Sequence, residues 1–188
     1  MEIAFLFDDS HSMGGQPYRA VKKWMKKLID IYNIDGNKRK AAIMQWSDKI
    51  RTTITFEERL TKDELKEEID AIKHKGGHTK GGHALNTAFR KFFHRHGKPN
   101  VWQAVIFLSD GNNKDEDVDL GDAAKKFHRE NIRITAVYLG ENIRDRQEME
   151  RMLGENLPYQ NKFFQAENLP KLTSNQFVHE VSRCPVGL

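Results

Sequence analysis

The chain has 188 residues, a formal net charge of +4 and 38% hydrophobic against 31% charged residues. These values are ordinary for one globular domain with its own core, and a second domain would be cramped. No apolar run approaches the roughly 20 residues that cross a bilayer, which excludes membrane insertion, and no signal peptide is visible. We therefore treat residues 1–188 as a single domain and expect it to be a module of a larger protein.

Apolar runs in the first third of the chain predict buried strands that alternate with helices. Residues 3–7 are continuously apolar and residues 41–46 are apolar except for Gln45, as in strands that are buried on both faces. Between them, apolar residues at helical spacing follow Pro17 and predict an amphipathic helix. Residues 50–56 alternate and are rich in Thr, which predicts an antiparallel edge strand. Thr61-x-x-Glu64 is a capping box that opens the next helix.

The same alternation continues to the end of the chain. A helix is marked by Leu85, Ala88, Phe89, Phe92 and Phe93, and a strongly apolar strand follows at residues 102–109. Further strands are predicted at residues 132–139 and near residues 163–164, each preceded by a helix. One last helix carries Leu169, Leu172, Phe177, Val178 and Val181. This order predicts an α/β fold: a doubly wound, mostly parallel six-stranded sheet with one antiparallel edge strand and helices on both faces.

Acidic and hydroxyl side chains follow the predicted strands where ligands gather in such sheets. The first strand runs into Asp8-x-Ser10-x-Ser12, and the strand at residues 102–109 runs into Asp110. Thr79 lies within a loop with four glycines that precedes the Phe-rich helix. The carboxyl ends of neighbouring parallel strands meet at one edge of the sheet, so these side chains can converge there. Carboxylate and hydroxyl oxygens favour a hard cation over zinc or copper.

These motifs resemble the von Willebrand factor type A domain family, which includes the integrin inserted domains, the matrilins and collagen VI modules. The resemblance covers nearly the whole chain, and it is specific because three separated motifs occur in the right order at element ends. It implies a metal-ion-dependent adhesion site in which Asp8, Ser10, Ser12, Thr79 and Asp110 bind Mg²⁺, with Mn²⁺ or Ca²⁺ as alternatives. It also implies a binding module without catalysis, whose partner, such as collagen or another matrix protein, presents an Asp or Glu.

This sequence departs from the family pattern close to the expected metal. His11 stands between the two serines, His78, Lys80 and His83 surround Thr79, and Gly81 replaces a common second threonine. We expect the four basic side chains to contact the partner and to favour acidic ligands.

A basic stretch offers an alternative, metal-independent mode of binding. Residues 73–98 contain seven Lys or Arg, five His and no acid. A patch for polyanions such as sulfated glycans would use Lys73, Lys75, Arg90, Lys91, Arg95 and Lys98. No helix-turn-helix, zinc-finger or stacking motif accompanies the charge, which argues against nucleic acid. The five histidines (His74, His78, His83, His94 and His96) could bind zinc, but no Cys or carboxylate partner stands at a fixed spacing from them.

The location and the class of function depend on two further observations. Cys184, expected just past the last helix, is the single cysteine, so it is free or bridges to a residue outside this chain. In matrilin-like and collagen-VI-like modules a cysteine at this place is often paired, and the resemblance thus implies a secreted, extracellular protein. An intracellular scaffold domain, with Cys184 free, is the alternative. No phosphate-binding loop, dinucleotide motif or nucleophile elbow is present, so an enzyme is not expected.

Overall fold

The apolar runs of this chain form one six-stranded sheet in the computed structural model, which describes residues 1–93, 101–111, 113, 115, 117–141, 146–154 and 162–186. The side chains of residues 52, 146 and 184–186 lie outside this description. The strands are β1 (Glu2–Asp8), β2 (Lys40–Trp46), β3 (Ile50–Ile54), β4 (Gln103–Ser109), β5 (Arg133–Leu139) and β6 (Lys162–Ala166). Their order across the sheet is β3-β2-β1-β4-β5-β6, and β3 alone among them pairs antiparallel, at one edge. The predicted fold class, with its antiparallel edge strand, is confirmed.

Helices connect and cover these strands. They are α1 (Gln16–Tyr32), α2 (Lys62–Ala71), α3 (Gly81–Ala88), α4 (Leu120–Arg129), α5 (Arg146–Leu153), α6 (Leu169–Thr173) and α7 (Asn175–Val186). A short 3-10 turn, His11–Met13, precedes α1, and a π-helical turn, Phe89–Phe93, extends α3. Among the described residues, no helix combines the length and apolarity that crossing a membrane requires.

Two hydrophobic cores lie on the opposite faces of the sheet. Alternate residues of β1 separate between them, because successive side chains of a strand point to opposite faces. Ile3, Phe5 and Phe7 pack with α1, α2, α6 and α7. Ala4 and Leu6 pack with α3, α4 and α5 on the other face. This burial on both sides explains the apolar run of β1 in the sequence.

The predicted capping box is present, whereas the predicted last helix is two helices. The Thr61 side chain accepts from the backbone of Glu64, and the Glu64 side chain accepts from the backbone of Thr61. At Ser174 the backbone is extended, with ψ 146°, and this residue separates α6 from α7. Its hydroxyl accepts a hydrogen bond from the Phe177 N–H, which starts α7 afresh. Apolar residues recur at helical spacing on both sides of Ser174, so the sequence does not reveal the break. The second helix continues to Val186, so Cys184 lies within α7 rather than beyond the last helix.

The strand order places two loops side by side at one edge of the sheet. β1 pairs with β2 on one side and with β4 on the other, and all three run parallel. The chain leaves β1 toward β2 but leaves β4 toward β5, so the order reverses between β1 and β4. The loops after β1 and β4 therefore open a crevice at the carboxyl ends of the strands.

Candidate metal centre

The loop after β1 brings one carboxylate and two hydroxyls together. Asp8 is the last residue of β1 and is fully buried. Its Oδ1 accepts a hydrogen bond from the Ser10 N–H at 2.7 Å. The 3-10 turn then folds the chain back, so that the Oγ atoms of Ser10 and Ser12 lie 3.0 Å apart. Ser10 is buried and Ser12 is exposed, so this oxygen pair leads from the core to the surface.

The end of β4 adds a second acid and a supporting hydroxyl. Ser109 Oγ donates to Asp8 Oδ2 at 3.2 Å and accepts from the Gly111 N–H at 3.1 Å. Burial, and then the nearby negative charge of Asp110, raise the pKa of Asp8 to about 7. Asp8 and Asp110 are thus brought together, as the sequence predicts, whereas the role of Ser109 was missed. Its place just before Asp110, at the end of a strand, was the available signal.

The loop that carries Thr79 packs against the serine loop. Thr79 is buried just before α3, and residues 72–80 connect α2 to α3. Three contacts join the two loops: His11 N–H to Gly77 O at 3.2 Å, Lys75 N–H to Asp9 Oδ1 at 3.1 Å, and a His74 ring nitrogen to Ser10 O at 2.9 Å. These contacts bring the Thr79 loop alongside the serines, although the two loops are far apart in sequence.

Glycine is required in this loop where it passes the end of β2. Gly77 has φ +130°, a conformation that side chains with a Cβ rarely adopt. A Cβ at this position would lie 2.1 Å from Asp48 Oδ1 and 2.8 Å from Ser47 Oγ. The glycines of this stretch therefore permit close packing of three loops around the site.

Asp9 is a second buried carboxylate that the sequence analysis did not identify. Its side chain is fully buried, and Arg51 Nη1 of β3 lies 3.3 Å from its Oδ2. Burial raises the pKa of Asp9, while the Lys75 N–H and the charge of Arg51 act in the opposite direction. The carboxylate thus links the edge strand to both loops of the site. No sequence pattern marked it, because its partners come from other elements.

Of the four basic residues that we predicted around the metal, two lie beside the site and two face acidic residues of another loop. His11 and His78 are exposed, and their positions in the serine and threonine loops place them beside the site. Lys80 Nζ lies 3.7 Å from Asp117 Oδ2, and the His83 Nδ1 lies 2.9 Å from both carboxylate oxygens of Asp115.

Helix α3 is capped by the loop between β4 and α4 rather than by its own preceding residue. Lys80, at the N-cap position, makes no side-chain cap. Instead, Asn113 Oδ1 accepts the Gly81 N–H at 3.0 Å, and Asp115 Oδ2 accepts the His83 N–H at 2.7 Å. These two residues therefore satisfy N–H groups that a helix start leaves without partners.

Helix α3 separates the basic stretch of residues 73–98 into two groups that lie at its opposite ends. Lys73 and Lys75 lie in the loop beside the site, whereas Arg90 and Lys91 lie in the π-helical turn beyond α3. At 1.5 Å per residue, Arg90 is about 13 Å along the helix from Gly81. The remaining members of the stretch, His94, Arg95, His96 and Lys98, lie outside the described residues.

The assembled groups suit a hard dication. In the described part of the chain, the hydrogen bonds to Asp8 come from neutral groups, the Ser10 N–H and the Ser109 hydroxyl. A buried carboxylate with a second one nearby and only neutral donors lacks the positive charge that burial normally demands. Serine, threonine and aspartate oxygens are the donors that Mg²⁺, Mn²⁺ and Ca²⁺ accept.

Comparison with known proteins agrees with this fold. The family profile of the von Willebrand factor type A domain matches residues 2–177. The chain belongs to the von Willebrand factor type A domain family.

Matrix proteins are among its relatives. The chain is 26% identical over 144 residues to the collagen alpha-1(XXI) chain of Xenopus laevis, which covers 77% of this chain and 15% of the relative. It is 26% identical over 171 residues to the collagen alpha-4(VI) chain of Mus musculus, with 89% of this chain and 7% of the relative covered. For matrilin-2 of Mus musculus the identity is 25%, with 89% and 17% covered. The chain thus spans a small part of the length of these relatives.

Solved structures show the same fold at low identity. Proximal thread matrix protein 1 from the mussel byssus, described with a zinc-occupied MIDAS motif, has a TM-score of 0.82 at 23% identity. That match covers 97% of this chain and 44% of the other. The protein BatB from Bacteroides thetaiotaomicron has a TM-score of 0.71 at 18% identity, with 97% and 96% covered.

Proposed function

We propose that this domain is a divalent-cation-dependent binding module of the extracellular matrix. Its metal ligands are Asp8, Ser10, Ser12, Thr79 and Asp110, and its metal is Mg²⁺, with Mn²⁺ or Ca²⁺ as alternatives. One observation carries the proposal: two acidic strand ends and a pair of hydroxyls 3.0 Å apart meet where the strand order reverses. The names of the relatives, collagens and a matrilin, support the matrix setting and an extracellular location.

The proposed chemistry is the completion of a metal's coordination by a partner. A cation held largely by neutral hydroxyl oxygens keeps a strong attraction for a further anionic ligand. An Asp or Glu side chain of collagen or another matrix protein supplies that ligand. Ser109 orients Asp8, and the exposed imidazoles of His11 and His78 can donate hydrogen bonds to an acidic partner. Recognition of this kind makes and breaks no covalent bond, so the domain acts as a binding module and not as an enzyme.

The test is binding to immobilised collagens and other matrix proteins, with Mg²⁺ or with EDTA. We expect EDTA and Asp110→Ala each to reduce binding at least tenfold. Ser12→Ala removes one proposed ligand from an exposed position and should reduce Mg²⁺ affinity about tenfold while the fold is retained. Thr87→Ala, near the carboxyl end of α3, is the matched hydroxyl control and should bind as the wild type does. Binding that is equal with Mg²⁺ and EDTA would refute the proposed site.

A second candidate, recognition of sulfated glycans by the basic stretch, gives a different pattern in the same assay. Binding through Lys73, Lys75, Arg90 or Lys91 would survive EDTA and Asp110→Ala. It would fall as the salt concentration rises, because exposed charges are screened over about 8–10 Å at physiological ionic strength. Zn²⁺ is included beside Mg²⁺, Mn²⁺ and Ca²⁺, since the mussel protein is described with zinc in its MIDAS motif.

A further inference from the structure

We propose that His83, Asp115 and Asp117 form a second cation site, for Zn²⁺ or a similar transition-metal ion. One ligand atom from each residue lies within 4.8 Å of the other two. None of the three belongs to the ligand set of the adhesion site. No carboxylate stands at a fixed spacing from the histidines in the sequence, because the two aspartates come from a loop 32 or more residues further along the chain.

Two of the three ligands are already held in place by the fold. The Asp115 side chain is 0% exposed, and its Oδ2 accepts the His83 N–H at 2.7 Å. His83 lies in the first turn of α3, which fixes its Cα relative to that carboxylate. Its Nδ1 is 2.9 Å from both Asp115 oxygens. The Nδ1 nitrogen and an Asp115 oxygen are therefore already at a separation that two donors on one ion can adopt.

Asp117, the third ligand, must move closer to the other two when an ion binds. Donor atoms lie 2.0–2.2 Å from zinc, so two donors on one ion are separated by no more than about 4 Å. The Asp117 side chain is 73% exposed and that of His83 is 43% exposed, so both can move inward without opening the core.

The composition of the site selects the metal. One imidazole nitrogen with two carboxylates suits zinc, cobalt or nickel, whereas Mg²⁺ favours oxygen donors and near-ideal octahedral geometry. Three protein ligands also leave coordination positions for water or an external ligand. The adhesion site, built from oxygens alone, has the opposite preference.

Lys80 competes with the metal for Asp117. Its Nζ lies 3.7 Å from Asp117 Oδ2, and both side chains are more than a third exposed. An exposed pair of this kind contributes little to stability, so an incoming dication can displace it. Removing the lysine charge should therefore tighten metal binding rather than weaken it.

The experiment is a calorimetric titration with ZnCl₂ in excess Mg²⁺, on Asp110→Ala protein so that the adhesion site does not contribute. We expect about one Zn²⁺ per chain. His83→Asn and Asp117→Asn should each lower the affinity at least tenfold, and Lys80→Met should raise it severalfold. Co²⁺ in place of Zn²⁺ should give visible absorption that both ligand variants lose.

Exposed residues elsewhere supply matched controls. His179→Asn, on α7, and Asp122→Asn, on α4, should leave the titration unchanged. Circular dichroism identifies any variant that fails to fold, and Asp115 is left intact because it also caps α3. Absence of zinc binding, or equal losses in the control and ligand variants, would overturn the proposal. Neither result bears on the proposed Mg²⁺ site, which has a separate set of ligands.

Discussion

Asp8 shows how a single buried carboxylate is governed by its surroundings. Water is excluded from it, its hydrogen bonds in the described chain come from uncharged groups, and Asp110 adds repulsion. Burial and the charge of Asp110 favour the protonated acid until a cation arrives, whereas the hydrogen bonds from Ser10 and Ser109 favour the carboxylate but do not outweigh them. The residue is therefore suited to exchange a proton for a metal ion.

At the residue scale, we expect the metal-free protein to gain stability from Asp8 as the pH falls. The pKa of Asp8 is raised from 3.8 to about 7, so the folded state holds its proton more tightly than the unfolded state does. This contribution is largest below the unfolded pKa and is lost as the pH rises through about 7. It amounts to about 2 kcal/mol between pH 7.5 and pH 5.5.

Urea unfolding in EDTA at the two pH values measures this difference. Asp8→Asn cannot titrate and keeps the shape of the side chain, so its pH dependence should be weaker by that amount. The same pH dependence in the wild type and in Asp8→Asn would contradict the raised pKa of Asp8. Mg²⁺ must displace the proton, so the stabilisation by Mg²⁺ should be smaller at pH 5.5 than at pH 7.5.

At the scale of elements, the start of α3 and the loop before α4 depend on each other. Asn113 and Asp115 cap the helix from that loop. The loop in turn packs directly against Gly82 of the helix. A Cβ on Gly82 would lie 2.1 Å from the Val118 carbonyl oxygen, so a larger residue has no room here. The glycine is needed here for space and not for its backbone angles.

We therefore expect Gly82→Ala to destabilise the protein, although alanine is the better helix former by about 1 kcal/mol. The clash involves backbone atoms, which cannot rotate away, so the net cost should be about 2 kcal/mol. Thr87→Ala, in the same helix, should change stability by less than about 0.5 kcal/mol. Urea unfolding of both variants checks this, and a Gly82→Ala protein as stable as the wild type would show that the loop yields at no cost.

At the scale of the whole molecule, the proposed metal is held between loops from both halves of the sheet. Asp8 follows β1, Thr79 precedes α3, and Asp110 follows β4. An ion that binds all three stabilises the folded state alone, because the unfolded chain does not bring them together.

Mg²⁺ at ten times its dissociation constant should thus add about 1.4 kcal/mol to the free energy of unfolding. For a chain of this length that corresponds to a rise in Tm of roughly 3–6 °C. Thermal unfolding with Mg²⁺ and with EDTA measures the effect, and Asp110→Ala should abolish it. A Tm that does not respond to Mg²⁺ at any concentration in the wild type would count against the site.

The sequence by itself determined the strands, most helices, the fold class and the residues at the strand ends. Those features follow from local periodicity and from the rule that parallel strands present their ends at one edge. Asp8 and Asp110 could be chosen because each ends an apolar run.

Only the tertiary structure decided which side chains from distant segments meet. The bond from Ser109 to Asp8 spans 101 residues, and the contact of Asp115 with His83 spans 32. The burial of Asp9, the cap of α3 and the division of the basic stretch depend likewise on neighbours in space. Periodicity records only which face of an element is buried, whereas the identity of the group opposite depends on strand order and loop packing.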